Sequence, residues 1–340
     1  MTDFEHLPNS PDLLLSYSRL SEVDRTGPRA LIRPRIIDSQ GVTLGSLVDD
    51  MLFDEENVEN EYVFTDITEP TASLKKLTDI ILTNYAELPT LEKVDEIVEL
   101  NELWRSTKKL ETRRKNYDTD TFWEYLNIKY NHSDKKVIDN DTKLLAEELV
   151  FILKNYEYSK PYFEENDNIE VLSQYVFKTE HPEYIMRGIY DMIVIDHQNK
   201  TIKAVDLKTG KKPLNEFEES FIHWRYYIQA SIYQETLKHL LQHDFKQYKD
   251  YQILDFEFLY IGVKEKIPAV FKIGPIWQTA AKKGFHTASG QYYKGVNELI
   301  SDCIYHWSNN KFDLPVEFYK NNGVVTLSSN GIILKNDSDE

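Results

Sequence analysis

The spacing of apolar residues changes along the chain and divides it into regions of helix and strand. In two segments before residue 54, and again from about residue 71 to residue 157, apolar residues recur every three or four positions, which is typical of amphipathic helices. The clearest helical patterns are LLLSYSRLSEV, with Ser16 or Ser18 as its cap, TLGSLVDDMLF and IDNDTKLLAEELVFILKNY. Between NIEVLSQYVF and AVDLK the period becomes two and β-branched residues dominate, so three strands are predicted there.

Helical spacing returns after Pro213. The pattern predicts one long helix for EFEESFIHWRYYIQASIYQETLKHLLQ, strands for ILDFEFLYIGV and PAVFKI, and a last helix for GQYYKGVNELISDCIYHWSNN. This order predicts an α/β fold in which helices flank a central mixed β-sheet, with a mostly helical insertion. We expect the core to comprise 1–54 and 161–312 and the insertion 55–160. Residues 313–340 are expected to form an extension with a disordered acidic tail.

The charge, the cysteine count and the length of the apolar runs exclude several classes of protein. The net charge of −17 argues against a protein that coats nucleic acid, although an enzyme can confine its cations to one groove. The single Cys303 excludes an internal disulfide framework and a multi-cysteine zinc site. No apolar run reaches the ~18 residues of a membrane span, and the first residues lack a signal pattern. We therefore expect a soluble cytoplasmic protein without a membrane partner.

Charged residues interrupt the predicted hairpin RGIYDMIVIDHQNKTIKAVDLKTGKKP. Asp206 and Lys208 are two residues apart and share one face of a strand, and the short DHQNK connection brings Asp191 close to them. Two neighbouring carboxylates need a cation between them, and Mg²⁺ or Mn²⁺ with oxygen ligands fits that need. The lysine could orient or deprotonate a water, or offset charge on a phosphate. The alternative is a salt-bridged hairpin edge. The apolar neighbours of these charged residues argue against it, because they are not expected at an exposed edge.

Two helices carry further candidate residues. Arg225, Gln229 and Tyr233 are spaced four apart, so they form one ridge beside an apolar stripe. This ridge could hold a phosphate or a base, or it could be an ordinary amphipathic boundary. Gly45 and Asp49 are one helical turn apart. Asp49 is either a further oxygen ligand for the metal or a surface charge.

The predicted insertion concentrates basic and aromatic residues in LWRSTKKLETRRKNYDTDTFWEYLNIKY. Cations interleaved with aromatics are typical of a path for single-stranded nucleic acid. A solvated helix face with core aromatics explains the same pattern equally well. A second basic group is assigned to the rim of the candidate site and comprises Lys203, Lys208, Lys211, Lys212 and Arg225.

Four short motifs occur in a fixed order and together resemble a known family. They are GSLVD (Gly45 to Asp49), GIYD (Gly188 to Asp191), DLK (Asp206 to Lys208) and QASIY (Gln229 to Tyr233). The set resembles the RecB-type branch of the PD-(D/E)xK nuclease superfamily, which includes lambda exonuclease and RecE-like phage exonucleases. The opening segment SYSRLSEVDRTGPRAL also looks like the start of the phage members.

The resemblance implies a restriction-endonuclease-like core and a Mg²⁺- or Mn²⁺-dependent DNA nuclease. Exonuclease action on DNA ends, in phage or bacterial recombination, replication or repair, is the preferred mode. A structure-specific endonuclease and a catalytically degenerate nucleic-acid-binding protein are the alternatives. DNA is the implied partner, a single-strand annealing or binding protein is a further candidate partner, and the oligomeric state is left open.

The resemblance also implies residue roles. The catalytic set is Asp191, Asp206, Lys208, Gln229 and Tyr233, and the metal set is Asp49, Asp191, Asp206 and the carbonyl of Leu207. Lys208 would position or activate the attacking water, and Gln229 and Tyr233 would contact DNA or brace the site. The residues predicted to bind DNA are Arg225, Lys211, Lys212, Arg113, Arg114 and Lys115. The family usually has histidine where this chain has Asp49, and an oxygen ligand there suits Mg²⁺.

Overall fold

The structure is a computed structural model that describes residues 13–33, 40–67, 70–105, 107 and 109–324, with the backbone alone for 40–43. The predicted disordered tail lies outside these residues. The chain forms two compact units, one made of Met1–Gly45 with Ile152–Glu340 and the other of Ser46–Phe151. The first is called the core unit below and the second the insertion unit.

Helices and strands alternate through most of the described chain. The helices are α1 (Tyr17–Thr26), α2 (Gln40–Phe53), α3 (Val58–Glu61), α4 (Ala72–Asn84), α5 (Leu91–Leu100), α6 (Leu110–Arg114), α7 (Asp120–Asn131), α8 (Asn140–Asn155), α9 (Phe217–His223), α10 (Tyr226–His243), α11 (Pro275–Lys283), α12 (Val296–Asn309) and α13 (Val316–Lys320). The strands are β1 (Leu14–Leu15), β2 (Tyr62–Thr65), β3 (Lys136–Asp139), β4 (Ile169–Glu180), β5 (Ile185–Asp196), β6 (Thr201–Gly210), β7 (Gln252–Ile253), β8 (Phe256–Gly262), β9 (Pro268–Ile273), β10 (Phe285–His286) and β11 (Tyr292–Tyr293). None of the described helices has the length and apolar character needed to cross a membrane.

A mixed sheet forms the centre of the core unit. Its strands lie in the order β1-β5-β6-β8-β9, with β4 paired to β5 and β7 paired to β6. The pairs β4–β5, β5–β6 and β8–β9 are antiparallel, whereas β6 and β8 are parallel. A parallel step needs a long crossover, which α9 and α10 supply. The predicted α/β fold with a central mixed sheet flanked by helices is confirmed.

One face of the sheet packs against α10, and α1 and α12 pack in turn against α10 and against each other. Side chains alternate between faces along a strand, so Ala204, Asp206 and Lys208 of β6 share a face. Ala204 lies in the main hydrophobic cluster, together with Ile193 of β5 and Phe258 of β8. Each fully buried large apolar side chain of this kind stabilises the fold by about 1.5–3 kcal/mol. The two charged residues of β6 therefore continue an apolar row into the layer between the sheet and α10.

The helix predicted after Pro213 is broken in two, so the prediction of one continuous helix is wrong. Helix α9 ends at His223 and α10 begins at Tyr226. Arg225 between them has a left-handed backbone with φ 63°. The hydroxyls of Tyr17 and Ser21 donate to the carbonyl of Trp224 at 2.8 and 3.0 Å. These bonds from α1 satisfy an acceptor that a continuous helix would pair with a backbone amide four residues on.

The insertion unit is mostly helical but also contains a small sheet that the sequence pattern did not predict. Strands β2 and β3 pair in parallel along four residues each. Such short strands give too few alternations to be recognised by period. The helices α4, α5 and α7 enclose a separate cluster around Leu77, Val98 and Phe122. Tyr117 and Phe122 are fully buried in that cluster.

Gly188 of β5 leads to a first prediction. A Cβ at this position would lie 2.6 Å from the ring of Phe177, its neighbour across the β4–β5 ladder, and the buried ring has no room to move. We expect Gly188→Ala to lower the free energy of unfolding by about 1–3 kcal/mol, as overpacking of a core does. Gly262→Ala is the control, because its nearest atom would be at 3.5 Å. Chemical denaturation measures both, and equal stability of the two variants would contradict the prediction.

Candidate active site

Asp191 and Asp206 face each other where the β5–β6 hairpin stops pairing. The last paired residues are Met192 and Val205, so the next residue on each strand is one of the two aspartates. In place of a ladder bond, the Leu207 amide donates to Oδ2 of Asp191 at 2.7 Å. The β4–β5 ladder skips the same position, where Gln174 has φ 50°. The backbone ladders on both sides of β5 are therefore interrupted at Asp191, where its carboxylate accepts from a backbone amide of β6.

Asp206 is held from two directions. Its side chain is 2% exposed, Gln229 Nε2 of α10 donates to Oδ1, and the Lys208 ammonium forms an ion pair with Oδ2. Among the described residues, Oδ2 accepts no hydrogen bond of good geometry, and Oε1 of Gln229 is likewise buried without a donor. A buried acceptor in this situation costs free energy unless a cation or donor satisfies it. Lys208 supplies that cation to Oδ2 of Asp206, whereas Oε1 of Gln229 stays without a donor among the described residues.

Lys208 lies between the carboxylates and two aromatic rings. Its Nζ is 5.1 Å from the centre of the Tyr226 ring and 5.8 Å from that of Phe258, and the side chain is 19% exposed. Burial alone would lower the pKa of the ammonium, but the Asp206 and Asp191 carboxylates outweigh it and raise the pKa well above the usual value. The salt bridge expected of a structural hairpin edge is thus present. It lies in the layer beneath α10, however, and not at an exposed edge.

Tyr233 packs against the glycine of the GIYD motif. Its hydroxyl oxygen would lie 3.2 Å from a Cβ on Gly188, and its backbone carbonyl accepts from the Tyr190 hydroxyl at 2.7 Å. Burial, reinforced by the Asp206 and Asp191 charges, raises the pKa of the Tyr233 hydroxyl. Tyr233 therefore remains neutral. Its contacts fit the bracing role that the sequence pattern allowed.

The first motif lies on α2, where the two units divide. Gly45 belongs to the core unit, and a Cβ there would lie 3.0 Å from Oγ1 of Thr209, the residue after Lys208. The missing side chain thus lets α2 approach the end of β6. Asp49 belongs to the insertion unit and is half-buried. Its role as a metal ligand stays a prediction.

The donor set suits a hard divalent cation. Asp191 and Asp206 supply neighbouring carboxylate oxygens, and the buried Oδ2 of Asp206 already has one cation, the Lys208 ammonium, in contact with it. Mg²⁺ and Mn²⁺ prefer such oxygen ligands. These two residues fit a metal centre, and the Leu207 carbonyl stays a predicted further ligand.

Another acidic cluster in the core unit has its own cation. Glu298, Asp302 and Glu317 lie close enough together to hold an ion. The ammonium of Lys294 already lies 2.6 Å from Asp302, 3.1 Å from Glu317 and 3.6 Å from Glu298. The pKa of Lys294 is raised because these carboxylates outweigh its burial. The cluster is a salt-bridge network that joins α12 to α13.

Three of the basic residues predicted to bind DNA, Arg225, Lys211 and Lys212, differ in whether they form ion pairs within the protein. Arg225 does not stand on the ridge of α10, because its backbone forms the break before that helix. Its guanidinium pairs with Asp24 at 2.5 Å and stacks on Tyr293 at 4.9 Å. Lys212 is exposed and contacts Glu219 at 2.8 Å, whereas Lys211 is exposed with no ion pair among the described residues. DNA binding by these three residues stays a prediction.

Lys203 was assigned to the rim of the site, and the structure places it on the other face of the sheet. It is five residues before Lys208 on the same strand, so its side chain points the opposite way. There it pairs at 2.6 Å with Glu257, which also accepts from the Tyr162 hydroxyl at 2.7 Å. Its role is to neutralise a buried carboxylate.

In the insertion unit the structure favours the alternative of a helix face with core aromatics. Arg114 pairs with Asp95 of α5, which also accepts from the Tyr117 hydroxyl at 2.6 Å. Arg113 pairs with Glu99 at 2.8 Å. Lys115 is exposed, and Lys108 lies outside the described residues. The arginines are thus paired with acids and the large aromatics contribute to the core, and DNA binding by Arg113, Arg114 and Lys115 stays a prediction.

Two tyrosines belong to the site that the sequence pattern did not reveal. Tyr17 of α1 and Tyr226 of α10 have ring centres 6.4 Å apart. The Lys208 ammonium lies against the Tyr226 ring, and the charges of Lys208 and Asp206 act on Tyr17. Burial raises the pKa of both hydroxyls. The apolar patterns of the two helices did not indicate that these tyrosines belong to the site, because both rings reach it only after α1 and α10 pack together.

The site therefore contains two carboxylates, a lysine and a glutamine on one face of a mixed sheet. Such a set of residues is expected in the active site of a nuclease. The model of the PD-(D/E)XK nuclease superfamily matches residues 39–312, and the chain belongs to this superfamily. Membership supports phosphodiester hydrolysis with nucleic acid as substrate. The assignment to the RecB-type and lambda-exonuclease branch stays a prediction.

Among the solved structures that match is the crystal structure of a "putative exonuclease" from Eubacterium rectale, with a TM-score of 0.48 and 12% sequence identity over 96% of this chain and 95% of that chain. No curated protein matches the sequence.

Proposed function

We propose that this protein is a divalent-metal-dependent deoxyribonuclease that degrades DNA from its ends. The observation that carries the proposal is the meeting of Asp191, Asp206 and Lys208 on the helix-covered face of the sheet, at the point where the hairpin strands stop pairing. The exonuclease mode rests on the resemblance of the motif order and of the opening segment to phage exonucleases. A role in recombination, replication or repair follows from the same resemblance.

Asp191 and Asp206 would hold the metal, together with the Leu207 carbonyl. A bound Mg²⁺ or Mn²⁺ would polarise a phosphate oxygen and lower the pKa of a water. The Leu207 amide fixes the orientation of the Asp191 carboxylate, and the Gln229 amide fixes that of Asp206. Preset ligands of this kind need little rearrangement when substrate arrives.

Lys208 would act as a fixed positive charge beside the scissile phosphate. Its ammonium is held by Asp206 and confined by the rings of Tyr226 and Phe258. A cation preset in a partly water-excluded site stabilises negative charge that builds up in the transition state. The same ammonium can donate a hydrogen bond to the attacking water and orient its oxygen. Neither role needs the lysine to lose a proton.

Metal removal gives the second prediction and the test of the proposal. End-labelled linear DNA and covalently closed circular DNA are incubated with Mg²⁺, with Mn²⁺, or with EDTA. We expect loss of linear DNA from its ends with either metal, no loss with EDTA, and an intact circle. The DNA is labelled at one end or at the other, and the end whose label is released first gives the direction of digestion.

The other outcomes are equally clear. Cutting of the circle would replace the exonuclease with an endonuclease of the same chemistry. Equal digestion of linear DNA with and without EDTA would remove the metal from the mechanism. If DNA is bound but neither substrate is lost with any metal, the protein is a catalytically degenerate binding protein of this fold.

A further inference from the structure

Trp224 is a large apolar side chain that the fold leaves in solvent. It lies in the break between α9 and α10, and 43% of it is exposed. The imidazole of His223 stands perpendicular to its ring, with ring centres 4.6 Å apart. A single exposed apolar residue needs no explanation by itself. Three further features set this one apart.

The first feature is the number of bonds that fix its backbone. The Trp224 carbonyl accepts from the hydroxyls of Tyr17 and Ser21. The next residue, Arg225, is held in the left-handed region while its guanidinium bonds to Asp24 and to the carbonyls of Ile222 and His223. A non-glycine residue with positive φ costs about 1 kcal/mol or more, and such strain persists where surrounding contacts enforce it. The tryptophan is thus presented by a rigid support.

The second feature is its position beside the candidate site. Tyr17, which holds the Trp224 carbonyl, has its ring 6.4 Å from that of Tyr226. The Tyr226 ring in turn lies 5.1 Å from the Lys208 ammonium. Neighbouring groups of the core unit therefore link the backbone of Trp224, through Tyr17 and Tyr226, to Lys208.

The third feature is a cation next to the indole. The Arg25 guanidinium lies 4.8 Å from the centre of the Trp224 ring. Arg25 is exposed and has no carboxylate partner among the described residues, although the whole chain carries a net charge of −17. An aromatic face and an uncompensated guanidinium are the two groups that hold a nucleotide, since one stacks on the base and the other meets the phosphate.

We propose that Trp224 and Arg25 hold an unpaired base, with its phosphate, of the strand that enters the active site. The inference rests on the proposed nuclease function and adds a substrate class, namely a strand whose bases are unstacked beside the scissile bond. The indole stacks on the base and Arg25 contacts the backbone. Trp224 is a positioning residue, since it touches the substrate away from the reacting phosphate.

The test compares Trp224→Ala, Trp224→Phe and Arg25→Ala with wild type, and Tyr158→Ala is the matched control. Tyr158 is an aromatic residue of the core unit that is 62% exposed, with its ring centre 5.8 Å from that of Tyr156. Kinetics are measured on a 20-nucleotide single strand with Mn²⁺. Binding of the fluorescein-labelled strand is measured by anisotropy with EDTA, which separates binding from cleavage.

We expect Trp224→Ala to raise KM and the Kd in EDTA by roughly 5- to 100-fold with little change in kcat, as loss of a base–aromatic stack does. Trp224→Phe should recover most of the loss, Arg25→Ala should raise KM less, and Tyr158→Ala should match wild type. Strands in which the three terminal nucleotides at one end lack bases provide a second readout. They should bind wild type more weakly at the entering end but bind Trp224→Ala no worse than the intact strand.

KM and Kd of Trp224→Ala within twofold of wild type, in an assay where Lys208→Met is inactive, would overturn the stacking site and leave the nuclease intact. Conversely, an inactive wild type would overturn the nuclease, and the anisotropy measurement would then decide the stacking site alone. A Trp224→Ala variant that loses as much affinity as wild type does when the terminal bases are removed would also overturn the proposal.

Discussion

Asp191→Asn is expected to reduce metal-dependent DNA cleavage at least ~10³-fold while the protein stays folded. The carboxylate is half-buried and oriented by the Leu207 amide at 2.7 Å, so the amide side chain keeps the shape and loses the charge that binds the metal. Removing one charged group aimed at a phosphoryl transition state costs on the order of 10²–10³ in kcat, and loss of the metal adds to this. Lys208→Met should be similarly inactive, since it removes the ammonium and keeps the buried stem.

The control is Asp196→Asn, five residues further along the same strand. Asp196 accepts from Asn199 in the turn and lies at the far end of the hairpin. Its variant should keep wild-type activity. Thermal unfolding adds a readout that does not depend on turnover. Wild type and Asp196→Asn should gain melting temperature with Mn²⁺, because a ligand that binds only the folded state stabilises it, and Asp191→Asn should not. If Asp191→Asn retained a tenth of the activity, Asp191 would not be a metal ligand.

Gln229→Met is expected to lower cleavage by about 10- to 100-fold, the usual loss when a residue that orients a metal ligand is replaced. Gln229 is 4% exposed, and its amide donates to Oδ1 of Asp206. Methionine fills the same volume without the donor, so Asp206 loses its fixed orientation. The deficit should shrink when the Mn²⁺ concentration is raised, because the affinity for metal is weakened and the chemistry is retained.

Helix α10 provides a close control for this variant. Gln234 is also buried, its Nε2 donates to the carbonyl of Leu254 at 2.9 Å, and its Oε1 also lacks a donor among the described residues. Gln234→Met should lower the free energy of unfolding by about 1–3 kcal/mol through the orphaned carbonyl, with unchanged dependence on metal. If cleavage by the two variants depended on the Mn²⁺ concentration in the same way, Gln229 would stabilise the fold and would not orient a metal ligand.

The candidate site was largely predictable because its parts are local. Asp206 and Lys208 share a face by strand alternation, and a short turn returns the chain to Asp191. These relations are set within about twenty residues and do not depend on the rest of the fold. The contact between Gln229 and Asp206 needed the motif order as well, since no local pattern places a helix over a given strand.

Errors arose where distant residues overrule a local pattern. Nothing in EFEESFIHWRYYIQ marks a break, because Arg225 is not a residue that favours the left-handed region. The break is made by Tyr17, Ser21 and Asp24, which are some two hundred positions earlier. The pattern of the basic run in the insertion left a nucleic-acid path and a solvated helix face equally open, and only the structure shows the acid partners of Arg113 and Arg114 on α5.

The sequence by itself determined the chemistry of the hairpin, the α/β layering and the order of the strands along the chain, because these depend on periods of two and 3.6 residues that neighbouring positions carry. The tertiary structure alone decided which cations are neutralised, which rings are buried and where α10 begins. Those outcomes depend on contacts between residues far apart in the chain. Lys203 and Lys208 illustrate the division: both are lysines on one strand, but one neutralises a buried glutamate and the other stands beside two aspartates beneath α10.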